Sequence, residues 1–237
     1  MDKIASLREI IDCSSAIVFF GGAGVSVPSG IPDFRGTGGL ESQNIPFEII
    51  LSRDYFLSHP EAFFSVYRDK LLFPDARPNK AHYALARLEA QEKLRAVITQ
   101  NIDNLHQAAG SRVVIELHGS VYRNYCMKCG KKYDFDFMVK SKGIPRCTCG
   151  GIVRPDVVLY QEQLPTSALA AAIDHIKKAD TLIVAGTSLV VYPAAGLIRY
   201  FTGNNMVIIN KSTTDYDRLA DLVIHDSVDL VLDAIVK

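Results

Sequence analysis

The stretch AIVFFGGAGVSVPSGIPDFRG, residues 16–36, decides how the rest of the chain is read. Its first five residues are apolar and are closed by Gly21-Gly22. A run that is apolar at every position reads as a strand buried on both faces. Small residues follow at once. They let backbone amides approach a pyrophosphate, and a helix starting there would favour the anion with its N-terminus. The spacing is neither Gly-x-Gly-x-x-Gly nor a P-loop, because no Gly-Lys-Ser/Thr follows. No acidic residue stands at the end of an obvious second strand to hold a ribose, which counts against an ordinary dehydrogenase. Taken alone, the loop also suits a tight turn in any α/β fold.

Runs of the same kind recur at 96–99, 113–117, 181–185 and 206–209, with 222–224 as a sixth strand. Helical spacing appears at 80–91 and 167–178. It also appears at 3–14, where Ile4, Leu7, Ile10 and Ile11 share a face and Cys13 is expected to pack as a buried thiol. Apolar strands alternating with helices predict an α/β fold with a parallel sheet covered on both faces. Two stretches break the rhythm. Residues 37–78 read as loops and short helices, and residues 119–155 hold cysteines. Both are read as modules inserted into one α/β domain.

Composition narrows the class. The chain has 237 residues, 48% apolar and 22% charged, which is ordinary for a globular domain. Lys+Arg and Asp+Glu stand at 26 each. That balance argues against binding driven by charge to nucleic acid or an anionic membrane. No apolar run approaches the ~20 residues of a spanning helix, and the start lacks a signal-peptide core. The expectation is a soluble, cytoplasmic protein with no nucleic-acid or membrane partner. Its oligomeric state is left open, and a monomer is compatible with everything read.

Four of the five cysteines crowd into 126–149. Cys126-Met-Lys-Cys129-Gly130 has the form of a zinc-knuckle half, and Cys147-Thr-Cys149-Gly150-Gly151 supplies the second. Four thiolates make a closed tetrahedral Zn2+ site with no position for water, so the metal would be structural. Free or redox thiols are the alternative. The second pair is Cys-x-Cys, which narrows its bite.

Two more polar loops leave strand ends: TQNIDNLH at 99–106 and ELHGS at 116–120. Ligands collect at the carboxyl ends of strands in an open parallel sheet, so these loops and the glycine loop point to one crevice. His118, at a strand end beside a glycine, is better placed for chemistry than the other histidines.

Together these residues resemble the sirtuins, the NAD-dependent protein lysine deacylases. The matching pieces are GAGVSVPSGIPDFRG at 22–36, TQNIDNLH, ELHGS, the cysteine module, RPDVVLY at 154–160, GTSLVVYPAAG at 186–196 and the Ile-Asn pair at 209–210. They span nearly the whole chain. The resemblance implies one catalytic domain over 1–237. Its Rossmann-like parts would be about 1–36, 79–118 and 156–237, with a small helical module at 37–78 and a zinc-ribbon module at 119–155. NAD and an acyl-lysine protein substrate would meet in the cleft between large and small parts.

The resemblance assigns Ala23, Gly24, Phe34 and Arg35 to the cofactor loop, with Arg35 near the phosphates or ribose. Gln100, Asn101, Ile102 and Asp103 would line the ribose and nicotinamide pocket. Gly186, Thr187 and Ser188 would meet phosphate and ribose, and Asn210, Lys211 and Val228 the adenosine end. Val157 and Val158 would pair with the peptide backbone. His118 would act as general base, Asn101 and Asp103 would fix the nicotinamide carboxamide, and Phe34 would exclude water. Nicotinamide and O-acyl-ADP-ribose would be released. Mono-ADP-ribosyl transfer is the runner-up, ahead of a non-enzymatic NAD sensor and a Rossmann oxidoreductase. The family's succinyl- and malonyl-removing branch carries Tyr-x-x-Arg. Here Tyr67 and Arg68 are adjacent, and Ser65 falls where that tyrosine would stand, so acetyl or another uncharged acyl group is expected.

Overall fold

The computed structural model describes residues 2–33 and 45–236. In chain order its strands are β1 (Ile17–Gly21), β2 (Leu94–Thr99), β3 (Val114–Glu116), β4 (Gly119–Cys126), β5 (Lys132–Tyr133), β6 (Val153–Val157), β7 (Thr181–Ala185), β8 (Asn205–Ile209) and β9 (Leu222–Ile224). The helices are α1 (Lys3–Cys13), α2 (Phe47–Ile50), α3 (Arg53–Ser58), α4 (Pro60–Leu71), α5 (Lys80–Ala90), α6 (Leu105–Ala108), α7 (Phe135–Lys140), α8 (Thr166–Lys178) and α9 (Val228–Ile235).

Six strands form a parallel sheet in the order β3-β2-β1-β7-β8-β9. Alternation along each strand divides its side chains between two cores. Phe19, Val97, Ile183 and Val207 face Leu7 and Ile11 of α1, Leu85 and Leu88 of α5, and Val231 and Leu232 of α9. Val18, Phe20, Ile98, Leu182, Val184 and Ile208 face Ala172 and Ile176 of α8, with Leu197 and Ile198 beyond. Both faces are therefore covered, as uniformly apolar strands require. Strand order runs outward in both directions from β1 and β7, so the switch point lies between them. The loops after β1 and β7 open there.

A second sheet, β5-β4-β6, is antiparallel, and β4 is bulged between Ser120 and Asn124. Its core is shared with the helical stretch. Phe56, Phe63, Phe64 and Tyr67 pack with Val121, Met138, Val153 and Leu159 in one cluster. The three phenylalanine rings meet edge to face, with centroids 4.9–5.8 Å apart. Among the described residues, no helix is long and apolar enough to cross a membrane.

Two sequence expectations need correction. Cys13 is exposed. It lies two positions past buried Ile11, which turns it about 200° around the helix and away from the sheet. Among the described residues, no α-helix starts in the glycine loop. The chain makes two 3-10 turns, Ala23–Val25 and Val27–Ser29, and Gly30 closes the second with φ 85°. Pro28 and Pro32 both lack the N–H that a longer helix would use.

Candidate active site

A cleft of ≈ 540 Å³ opens at the switch point. The loops after β1 and β7 meet there backbone to backbone. The Gly24 N–H donates to the Gly186 carbonyl at 2.8 Å. A Cβ on Gly24 would stand 2.8 Å from Gly186 Cα, and Gly186 itself has φ 60°. Only glycine lets the two loops approach this closely. Ala23, Gly24, Gly186, Thr187 and Ser188 all line the cleft. The amide of Asn210 closes a reciprocal pair with Thr187: the Thr187 N–H donates to Oδ1 and Nδ2 donates to the Thr187 carbonyl, both at 3.0 Å. Gln100 Nε2 donates to the Thr187 hydroxyl at 3.0 Å. Lys211 and Val228 extend the same wall.

The 99–106 loop is tied to the glycine loop through Ser26, which is buried. Its hydroxyl donates to Asp103 Oδ2 at 2.6 Å and accepts from Asn101 Nδ2 at 3.0 Å. The Leu105 N–H donates to Asp103 Oδ1 at 2.9 Å. Burial pushes the Asp103 carboxyl up from the ordinary range, and the Ser26 and Leu105 donors pull it back. Asn101, Ile102 and Asp103 line the cleft beside Gln100. Sequence reasoning passed over Ser26, because a serine inside a glycine loop carries no signal until its partners 75 and 77 positions away are known.

His118 sits between the two sheets, after β3 and just before β4. Its Nδ1 donates to the Gln100 carbonyl at 2.8 Å. A carbonyl only accepts, so the neutral ring carries its proton on Nδ1 and keeps a lone pair on Nε2. Burial lowers its pKa, partly opposed by the Gln100 bond, so the ring is neutral at pH 7. The sharp turn behind it is made by Gly119 at φ 75°, where a Cβ would strike the Asp156 carbonyl. The next turn of the wall is β6, an edge strand of its sheet. Val157 and Val158 line the cleft, and the Val158 N–H donates to the His118 carbonyl at 3.0 Å.

The four clustered cysteines converge. Their Sγ atoms all lie within 4.8 Å of one another. Cys126 and Cys149 are 3.5 Å apart, and Cys129 and Cys147 are 3.6 Å apart. Zn–S bonds of about 2.3 Å at tetrahedral angles require S···S near 3.8 Å, so the set fits zinc. The short second pair does not prevent this. In the first knuckle the Gly130 N–H donates to the Cys126 carbonyl, and in the second the Gly150 N–H donates to the Cys147 carbonyl. The second turn is one residue tighter, which absorbs the missing residue.

At the other end of the cleft, Tyr67 lines the wall while fully buried, and its hydroxyl has no partner among the described residues. Arg68 points elsewhere, with Nη1 3.5 Å from the Ser141 hydroxyl. Ser65 is exposed. Lys70, which sequence reasoning did not single out, also lines the cleft and pairs with Asp69 at 3.0 Å. Phe34 and Arg35 lie outside the described residues.

Comparison with known proteins places this geometry. The Sir2 family model matches residues 22–193. An NAD-dependent protein deacetylase of Clostridium acetobutylicum is 57% identical over 242 residues, covering 100% of this chain and 99% of its own. One of Clostridium perfringens is 59% identical over 241 residues, covering 99% of each. A solved Sir2 structure with a deacetylated p53 peptide and 3'-O-acetyl ADP ribose superposes with a TM-score of 0.90 at 40% identity, covering 98% of this chain and 96% of that one. Sir2Tm bound to a propionylated peptide gives 0.86 at 40% identity, over the same shares.

Proposed function

The chain belongs to the Sir2 family, and from that premise we propose how the cleft serves an NAD-dependent protein deacetylase. The carrying observation is that one cleft gathers a neutral histidine with a free Nε2, the Asn101–Ser26–Asp103 cluster, the Gly24–Gly186 backbone contact and the edge of β6.

NAD is consumed as a substrate and supplies an electrophilic ribose carbon when nicotinamide departs. Ala23, Gly24, Gly186, Thr187 and Ser188 offer backbone and hydroxyl groups to its phosphates and ribose, and Gln100 steadies Thr187. Asn210 acts by holding the Thr187 backbone, while Lys211 and Val228 border the adenosine. Asn101 and Asp103 hold the carboxamide, and Ile102 makes the apolar side of that pocket. His118 Nε2 takes the proton of a ribose hydroxyl, which can then attack the acyl carbon. Val157 and Val158 pair with the peptide carrying the acyl-lysine. Cys126, Cys129, Cys147 and Cys149 hold a structural zinc. Thiols kept reduced for a metal fit a reducing compartment such as the cytoplasm.

The test is incubation with NAD and an acetyl-lysine peptide, followed by mass spectrometry. Free lysine peptide, nicotinamide and O-acetyl-ADP-ribose should appear in equal amounts. Adenylate label retained on protein in place of O-acetyl-ADP-ribose would replace this reading with mono-ADP-ribosyl transfer.

A further inference from the structure

Residues 157–162 form a strap along one wall of the cleft, and every one of them lines it. The strap's backbone is largely committed. The Val157 carbonyl accepts from Arg154 Nη2 at 3.0 Å. The Val158 N–H goes to the His118 carbonyl, and the Leu159 carbonyl accepts from the Glu162 N–H. Tyr160 exchanges backbone bonds with the helical stretch: its N–H donates to Leu51, and its carbonyl accepts from the Arg53 N–H, each at 3.0 Å. Among the carbonyls of residues 157–160, only that of Val158 has no donor from the described residues.

A clasp closes around that carbonyl. Arg154 Nη1 and Nη2 donate to the two oxygens of Glu162 at 2.8 and 3.0 Å, a bidentate pair that is largely shielded from solvent. Each partner also grips the strap. Arg154 takes the carbonyl on one side of Val158, and Glu162 Oε2 accepts the Leu159 N–H on the other at 2.9 Å. The guanidinium lies 5.4 Å from the Phe56 ring centroid and 5.9 Å from that of Tyr125, so the clasp is seated against both the helical stretch and the cysteine module. Beyond it, Gln161 holds φ 74°, an unfavourable conformation for a residue with a side chain. Its amide exchanges two 3.1 Å bonds with Asp54.

A shielded ion pair is weak ground for stability, because desolvation offsets most of its attraction; its better-attested use is to specify one conformation. We propose that Glu162, clasped by Arg154, is a positioning residue for the acyl-lysine substrate: it fixes the strap so that the Val158 carbonyl is presented to the peptide. This rests on the deacetylase reading of the cleft. The His118 ring is held by the Gln100 carbonyl, and the strap touches only the His118 backbone, through the Val158 N–H, so the clasp acts chiefly on peptide affinity.

The experiment is steady-state kinetics of the zinc-loaded full chain, varying acetyl-lysine peptide at saturating NAD and NAD at saturating peptide. Glu162→Ala should raise the peptide KM about tenfold or more, with kcat and the NAD KM within about threefold of wild type. Glu162→Gln keeps one acceptor oxygen for Leu159 and Arg154 Nη2 but turns an amide NH2 toward Nη1 and loses the charge pair, so its peptide KM should fall between those of Glu162→Ala and wild type. An unchanged peptide KM in Glu162→Ala, a fall in kcat without a rise in peptide KM, or a Gln variant as impaired as the Ala variant would each overturn the proposal. Should Glu162→Ala not fold, Arg154→Lys decides. It keeps the charge and loses the fork, so the peptide KM must rise about threefold or more for the proposal to stand. Wild type that releases no nicotinamide defeats the deacetylase reading instead, which separates the two failures.

Discussion

The two sheets of this molecule are held by different means. The parallel sheet has five-residue strands β1 and β7 with every position buried, and helices on both sides. Burial of that many apolar side chains holds it without help. The small sheet has one strand of two residues, a bulged partner and a core on one side. Two of its core members, Cys126 and Cys147, are themselves metal-ligand candidates. The large sheet follows from its side-chain pattern, whereas the small one gathers four thiols placed to take a metal bond that the chain cannot make alone. The residues proposed to react sit where the two sheets meet, with His118 and Gly119 as the junction.

The strongest way to break this contrast is to remove the metal. Structural zinc contributes on the order of 10–16 kcal/mol in small zinc domains. Chelation should release about one zinc per chain, disorder the 119–157 region in amide exchange and abolish most turnover. The parallel sheet should keep its protection. Full activity in the zinc-free chain, or unaltered zinc affinity in Cys147→Ser, would show that the small sheet needs no metal.

At the junction, His118→Ala should cut kcat by about 2–4 orders of magnitude while NAD still binds, the outcome expected if the ring serves as the proposed base and not as a strut. The pH profile carries a sign. Burial lowers the histidine's pKa, so the base is free at neutral pH and turnover falls only on the acid side, below the usual 6.5. An acid limb starting above pH 7 would contradict the burial. In the large sheet, Phe20→Ala should cost about 3–5 kcal/mol and lower Tm of the parallel-sheet transition, because Phe20 has no exposed surface. Zinc content of the native fraction should stay at one per chain.

A smaller effect sharpens the same side. His82 of α5 and His106 of α6 are buried with ring centroids 4.7 Å apart. Burial pushes His82 down to about 4, and burial and its neighbour push His106 well below its usual value. A depressed folded-state pKa contributes stability that is present above 6.5 and lost as pH falls toward 4. Urea titrations across that window should show a loss of roughly 1–3 kcal/mol in global stability. A flat profile would mean the pair is hydrated. The smallest effect concerns the shared core of α4. With Arg68 turned toward Ser141, acetyl and propionyl lysine should exceed succinyl lysine in kcat/KM by about tenfold or more. The reverse order would give Lys70 the role of reading the acyl end.

How much of this was legible in the sequence follows the same divide. The six strands are visible because an uninterrupted apolar run has few other readings, and the cysteines because thiol spacing is discrete. The small sheet was not visible. β4 reads GSVYRNYC, mixes buried Asn124 with exposed Tyr122 and Arg123, and carries a bulge that breaks period two. The one continuous core shared by helical stretch and cysteine module depends on Phe56 and Val153 meeting across the chain, which no local pattern announces. Helix α9 is amphipathic, with Val228, Val231, Leu232 and Ile235 on its buried face, but eight residues are too few for helical spacing to stand out in the sequence. Cys13 was placed by residue type where helical phase should have ruled. Ser26 and the Arg154–Glu162 clasp are properties of pairs, and pairs appear only after folding.

Strand order has a consequence for how the chain is made. β1 emerges early in synthesis, yet one of its two neighbours is β7, and the Ser14 and Thr181 hydroxyls that meet beside that seam are 167 positions apart. At about 5–20 residues per second, β1 waits on the order of 8–30 s before β7 exists. During that interval a strand whose every side chain is destined for burial has one unpaired edge. The nascent protein is thus most vulnerable to wrong pairing not at its ends but at its centre, and a translating ribosome or chaperone would have most to protect there.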